Sequence, residues 1–145
     1  MAAFTEQLRR HSVALISLTV ALTSLAYNTW RNEQTEANRN VRSAGIELLL
    51  ALGELEQVVF FLRFDSEAER ATPREGWAYI LTTRDLAKLT DEPAKTAVDG
   101  LFSAWSDGWE LLGSDGAAAD EASDRISAAI DDARSSTLTV LAELN

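Results

Sequence analysis

Glu47, Glu54 and Glu56 sit beside the apolar positions of one long helical pattern, and paired carboxylates can carry general acid–base chemistry. The same acids also read as the solvated flank of an amphipathic helix. No nucleophile, base and oxyanion donor can be assembled from the spacings around them. His11 is the only histidine and cysteine is absent. Di-iron bundles draw on Glu-x-x-His pairs, and zinc and haem sites lean on histidine or thiolate. A catalytic metal, a Ser-His-Asp triad, imidazole acid–base chemistry, disulfides and thiolate catalysis are therefore not expected. His11 reads as a residue at a membrane edge, with proton sensing or pigment ligation as the sharper alternatives. The chain is expected to be non-enzymatic, with no cofactor.

Binding is better represented than catalysis. Trp77, Trp105 and Trp109 could line a ligand pocket between helices, with Trp105 and Trp109 one turn apart; packing of a small core is the other use for the same side chains. A second pattern runs through Ala14, Ser17, Ala21, Ser24 and Asn28 in three- and four-residue steps, beside larger Leu15, Leu18, Leu22 and Leu25. Small residues let helices approach closely within a bilayer, and hydroxyls can bond across the contact. This face is expected to dock on a partner span or on a second copy, unless it simply reflects an Ala/Ser/Thr-rich segment.

These residues need helices to hold them. Only two prolines and seven glycines, with 46% hydrophobic residues, predict an all-α chain. The apolar run from Ser12 leads without proline or glycine into a helical pattern reaching about Phe64. Residues 12–30 make about 28 Å of helix, against a hydrocarbon core of about 30 Å. A transmembrane helix is expected there, after a short N-terminal segment at 1–11. Arg9, Arg10, Tyr27 and Trp30 are its interfacial anchors. Five hydroxyl residues, Ser12, Ser17, Thr19, Thr23 and Ser24, keep its hydrophobicity moderate. A signal peptide cut after Ser24-Leu25-Ala26 is the rival reading, which would leave a secreted helical bundle. Ile46 to Phe64 fails as a second span because it carries Glu47, Glu54, Glu56 and Arg63.

Thr29 to Asn40 is polar almost all round, and residues 31–40 read as a helical stalk. Tyr27-Asn28-Thr29-Trp30-Arg31-Asn32-Glu33, followed by Glu36-Ala37-Asn38-Arg39-Asn40, resembles a junction found in uncharacterised small bacterial membrane proteins. The resemblance implies a bacterial single-span protein, with no activity attached.

Residues 41–145 form the expected bundle. Val41, Gly45, Leu48, Leu52, Leu55, Val59 and Leu62 alternate four- and three-residue steps, and Ile46, Leu49, Phe60 and Phe61 widen the apolar arc. Thr72-Pro73-Arg74-Glu75 is a capping box with proline at the first helical position. The helix it opens should reach about Leu89, with Trp77, Ile80, Leu81 and Leu86 inward. A third helix starts or kinks at Pro93, packs Val98, Leu101, Phe102, Trp105, Trp109 and Leu112, and has Gly113 placed as its C-cap. The fourth runs from about Ala117 with Ile126, Ile130, Ala133, Thr137, Val140 and Leu144 inward, and its weakly apolar first third should fray. Short connections favour antiparallel neighbours, hence a four-helix, up-down-up-down bundle.

Charge narrows the partners. Acids and bases balance at six each up to Phe64, and 17 acids face seven bases thereafter. That excludes nucleic acid as an expected partner and disfavours an anionic lipid surface for the distal part. The expected partners are the bilayer, together with a membrane protein or a second copy met through the span. Arg9 and Arg10 lie closer to the hydrocarbon than two of Arg31, Arg39 and Arg42, which favours an inside N-terminus. The expected location is a bacterial inner membrane with the bundle periplasmic, or cytoplasmic if this near-even count is overridden. The functional expectation is an accessory subunit, scaffold or assembly factor of a membrane complex; a ligand-sensing four-helix bundle is the alternative.

Overall fold

Thr72 begins its helix in the manner its neighbours dictate. In the computed structural model its hydroxyl accepts from the Glu75 backbone N–H at 3.2 Å, while Glu75 Oε2 accepts from the Thr72 backbone N–H at 2.8 Å. The structure describes residues 2–65 and 71–144, with side chains from residue 11 onward. Among these residues it is all-helical: α1 (Ala2–Phe64), α2 (Pro73–Ala87), α3 (Ala94–Gly108) and α4 (Ala117–Glu143), with a single 3-10 turn at Trp109–Leu111. Replacing Thr72 with alanine removes one arm of the capping box. It should lower bundle stability by about 1 kcal/mol in thermal denaturation; an unchanged midpoint would show that α2 is positioned by packing alone.

The chain divides into two compact units, Met1–Ala37 and Asn38–Asn145. In the first, α1 is already helical from Ala2, so residues 2–11 run on into 12–30 as one continuous helix. Residues 12–30 are helical throughout. Among the described residues, however, no helix taken by itself is long and apolar enough to cross a membrane. Six Ser and Thr residues and Asn28 within 12–30 dilute the apolar content, which corrects the expectation of a self-sufficient span.

In the second unit, Leu48, Leu52, Leu55 and Val59 of α1 enter one core with Ile80 and Ala87 of α2, Val98, Leu101 and Trp105 of α3, and Ile126, Ile130 and Ala133 of α4. The four-three seam of α1 is therefore the buried one. The wider arc is only partly covered: Ile46 and Phe60 are exposed, whereas Leu49 and Phe61 are half-buried. Pairings run antiparallel. Gly45 lies beside Leu141, Glu56 pairs with Arg134 at 2.5 Å, and Arg63 bonds Asp120 through Nε at 3.0 Å. Numbers rise along α1 as they fall along α4. Likewise Trp77 meets Trp105 and Arg84 meets Asp99, across α2 and α3.

Three local expectations need correcting. Leu81 is exposed, and the buried positions of α2 are Gly76, Ile80, Thr83 and Ala87. Thr83 tolerates burial because its hydroxyl donates to the Ile80 carbonyl at 2.9 Å. Gly113 does not cap α3: the helix ends at Gly108 and tightens into the 3-10 turn, and the one positive-φ residue described is Gly116 (φ 108°), immediately before α4. That conformation suits glycine, which has no Cβ to clash. The first third of α4 is held, since Ala119 and Ala122 are fully buried; small side chains give contact there through close approach.

Candidate functional site

Of the candidate acids, Glu56 is the one tied to another helix. Among the described residues no group of three or more His, Asp or Glu could hold a metal ion. Glu47 and Glu54 are exposed. Glu56 is half-buried and accepts from Arg134, which also bonds Asp131 at 2.7 Å. Arg63, only 13% exposed, bonds Asp120 and donates to the Ser114 carbonyl at 3.3 Å, fastening α1 to the turn before α4. Arg42 donates to the Leu144 carbonyl at 3.2 Å. Nucleophile and base are nowhere brought together by these ties.

Trp77, Trp105 and Trp109 are brought together. The Trp77 ring meets Trp105 and Trp109 edge-on at 6.3 Å each, and Phe102 at 6.1 Å. Trp105 is fully buried, while Trp77 and Trp109 are half-buried and pack against the core. A Cβ placed on Gly76 would lie 2.1 Å from Trp105 Cη2, so the indole occupies the space a side chain would need. The cluster is filled, and a ligand would have to displace a ring to enter. Among its ring nitrogens, Trp105 Nε1 is the one buried without a hydrogen-bond partner. An orphaned donor of that kind costs about 1–3 kcal/mol.

The face along Ala14, Ser17, Ala21, Ser24 and Asn28 is exposed at every position. At about 100° per residue these five share one side of α1, flanked on one hand by Leu15, Leu18, Leu22 and Leu25 and on the other by Val13, Ile16 and Val20. All seven flanking side chains are 56–64% exposed. The hydroxyls of the segment divide by side. Thr19 and Thr23, opposite the small face, donate back to the Leu15 and Thr19 carbonyls at 2.8 Å each. Ser17 and Ser24, on the small face, have no hydrogen bond among the described residues. The Tyr27 and Trp30 rings lie 6.2 Å apart, tilted by 46°, and both are exposed. His11 is exposed too. The side chains of Arg9 and Arg10 lie outside the described residues.

One concavity was not anticipated. A cleft of about 410 Å³ between α2 and α3 is lined by Arg84, Ala87, Lys88, Lys95, Val98 and Asp99. Its sequence signal was faint, because single cations on either side of a helix break look like solvated surface. No family model, curated protein or solved structure matches this chain.

Proposed function

We propose that this protein is a non-catalytic accessory subunit or scaffold of a bacterial membrane complex, with the bundle on the periplasmic side. Its segment 12–30 enters the bilayer in the company of another helix. The observation that carries the reading is the division of hydroxyls on α1. Thr19 and Thr23 satisfy themselves within the helix, as a lipid-facing position requires. Ser17 and Ser24 are left unpaired in a groove of small residues between two ridges of large ones. A helix apolar on most of its circumference needs an apolar surrounding, and a groove with spare hydroxyls suits a second helix at close range. Company also compensates for a segment that is too polar to cross alone. Tyr27 and Trp30, in tilted contact with each other, would mark the interfacial end. The filled tryptophan cluster gives the ligand-sensing alternative no support.

The test is assembly. Full-length protein is purified from its native membrane in mild detergent, beside Ser17→Leu and Ala21→Leu variants, and co-purifying chains are quantified by mass spectrometry. A stoichiometric partner span, or a second copy in crosslinking, is expected in the parent. Both variants should reduce it at least tenfold, since a leucine holds the backbones apart. Undiminished assembly in both would remove the docking face. A mature chain beginning near Tyr27 would replace the proposal with a secreted bundle.

A further inference from the structure

The chain has only two lysines, and both line the same cleft. Lys88 closes α2 and Lys95 lies in the first turn of α3; Arg84 stands one turn before Lys88. Three cations therefore face one acid, Asp99, around a floor of buried Ala87 and Val98. In a chain of net charge −10, this is a local reversal of sign. Its volume of about 410 Å³ falls in the range of small-ligand sites.

The cations are not fully committed to one another's neighbours. Lys95 is half-buried and has no ion-pair partner among the described residues. Arg84 Nε is 3.5 Å from Asp99 Oδ1, a loose pair, and its guanidinium lies 4.4 Å above the Phe102 ring, which fixes the plane it presents. Only Lys88 is closely paired, 2.7 Å from Asp85 on its own helix; that bond holds the Asp85 carboxyl below its ordinary pKa, with the Lys88 charge adding to the effect. The α3 N-terminus is already served by Glu92, which accepts from the Thr96 N–H and hydroxyl at 3.3 and 2.8 Å. The side chains, rather than the helix end, make the site.

We infer that the cleft between α2 and α3 binds a small phosphate monoester, with Arg84, Lys88 and Lys95 around the phosphate and its short apolar part on Ala87 and Val98. Three cations outnumber the two acids that touch them, Asp85 and Asp99, so the cleft keeps a net positive charge that a phosphate group carrying about two negative ones would complement. Lysines act as point charges toward phosphate, and a guanidinium adds directed N–H donors. The same group could arrive as a free ester or as the headgroup of a phosphatidate. Asp99 must yield Arg84 to the incoming oxygen, so it tunes affinity downward.

Full-length protein in uncharged detergent is titrated with glycerol 3-phosphate, and separately with phosphatidate doped into the micelle, following tryptophan emission. Trp77 contacts Phe102, and Phe102 carries Arg84, which gives a short route to the reporter. Saturable change with glycerol 3-phosphate identifies a free ester; change with phosphatidate alone identifies a lipid headgroup. In either case a Lys88→Gln/Lys95→Gln double variant of unchanged helicity should raise the half-saturating concentration roughly tenfold or more. Asp99→Asn should lower it, added salt should weaken binding, and Arg134→Gln, outside the cleft, should leave it alone. The inference fails if neither probe saturates, if the double variant binds as the parent does, or if succinate competes as well as glycerol 3-phosphate, which would show that charge alone is recognised.

Discussion

Gly76→Ala is expected to destabilise the bundle by roughly 3 kcal/mol, at the upper end of what overpacking a core usually costs. The added methyl would lie 2.1 Å from Cη2 and 2.3 Å from Cζ2 of Trp105, distances at which something must move. The indole has nowhere to retreat: it is fully buried, and Trp77 stands edge-on against it. Helix propensity works the other way, since alanine is favoured over glycine by about 1 kcal/mol within a helix, so destabilisation would report the clash against that trend. Thermal denaturation of the full chain, followed by near-ultraviolet circular dichroism, should show a midpoint lowered by roughly 10 °C. Trp105→Phe supplies the control. It removes the far half of the indole and the orphaned Nε1 donor together, so Gly76→Ala/Trp105→Phe should be more stable than Gly76→Ala alone. That non-additivity marks a direct contact. An unaltered midpoint in Gly76→Ala would mean that Trp105 has a second seat.

Leu52→Ala should cost about 2–5 kcal/mol, while Leu50→Ala, two residues earlier, should stay within about 0.5 kcal/mol. Leu52 is 0% exposed and Leu50 is 67% exposed, so the pair reads out which side of α1 the bundle uses. Chemical denaturation with linear extrapolation measures both. Equal losses would mean that Leu50 is covered in solution by something other than this chain's core, and sedimentation of the two variants would then identify a second copy.

Where structure followed short-range chemistry, the residues announced it. Thr72, Pro73 and Glu75 specify a helix start because every partner lies within three positions. The α1 seam was equally legible, because seven residues in four-three rhythm can share only one side of a helix. Where structure depends on partners distant in sequence, the local pattern does not carry it. Leu81 and Thr83 compete to face inward on α2, and hydrophobicity favours the leucine; the close fit of Gly76 against Trp105 is part of a helix placement that buries the threonine. Gly113 looked like a cap because the stripe of α3 runs on to Leu112, yet those last residues are wound as a 3-10 turn, which moves the special glycine to Gly116. Ala119 and Ala122 looked too weak to hold α4, since composition conveys apolarity and not proximity. The candidate sites divide in the same way. The small face of α1 is local and periodic, and so was visible. The cleft joins residues on two helices across the Pro93 break, and nothing in the spacing of Arg84, Lys88 and Lys95 says that they converge.

The placement of both lysines on one cleft has a practical consequence. Amine-directed reagents find only these two side-chain targets, Lys88 immediately before and Lys95 immediately after the stretch from Leu89 to Ala94. Reductive methylation with isotopically enriched formaldehyde would place two dimethylammonium labels there and on no other side chain. Their resonances would report on one locality of the bundle with little background from the rest of the chain. The same economy is a hazard at the bench: coupling the protein to a sensor surface through its lysines would tether it by the cleft itself, so immobilisation should proceed through an introduced cysteine, for which the native chain offers no competitor.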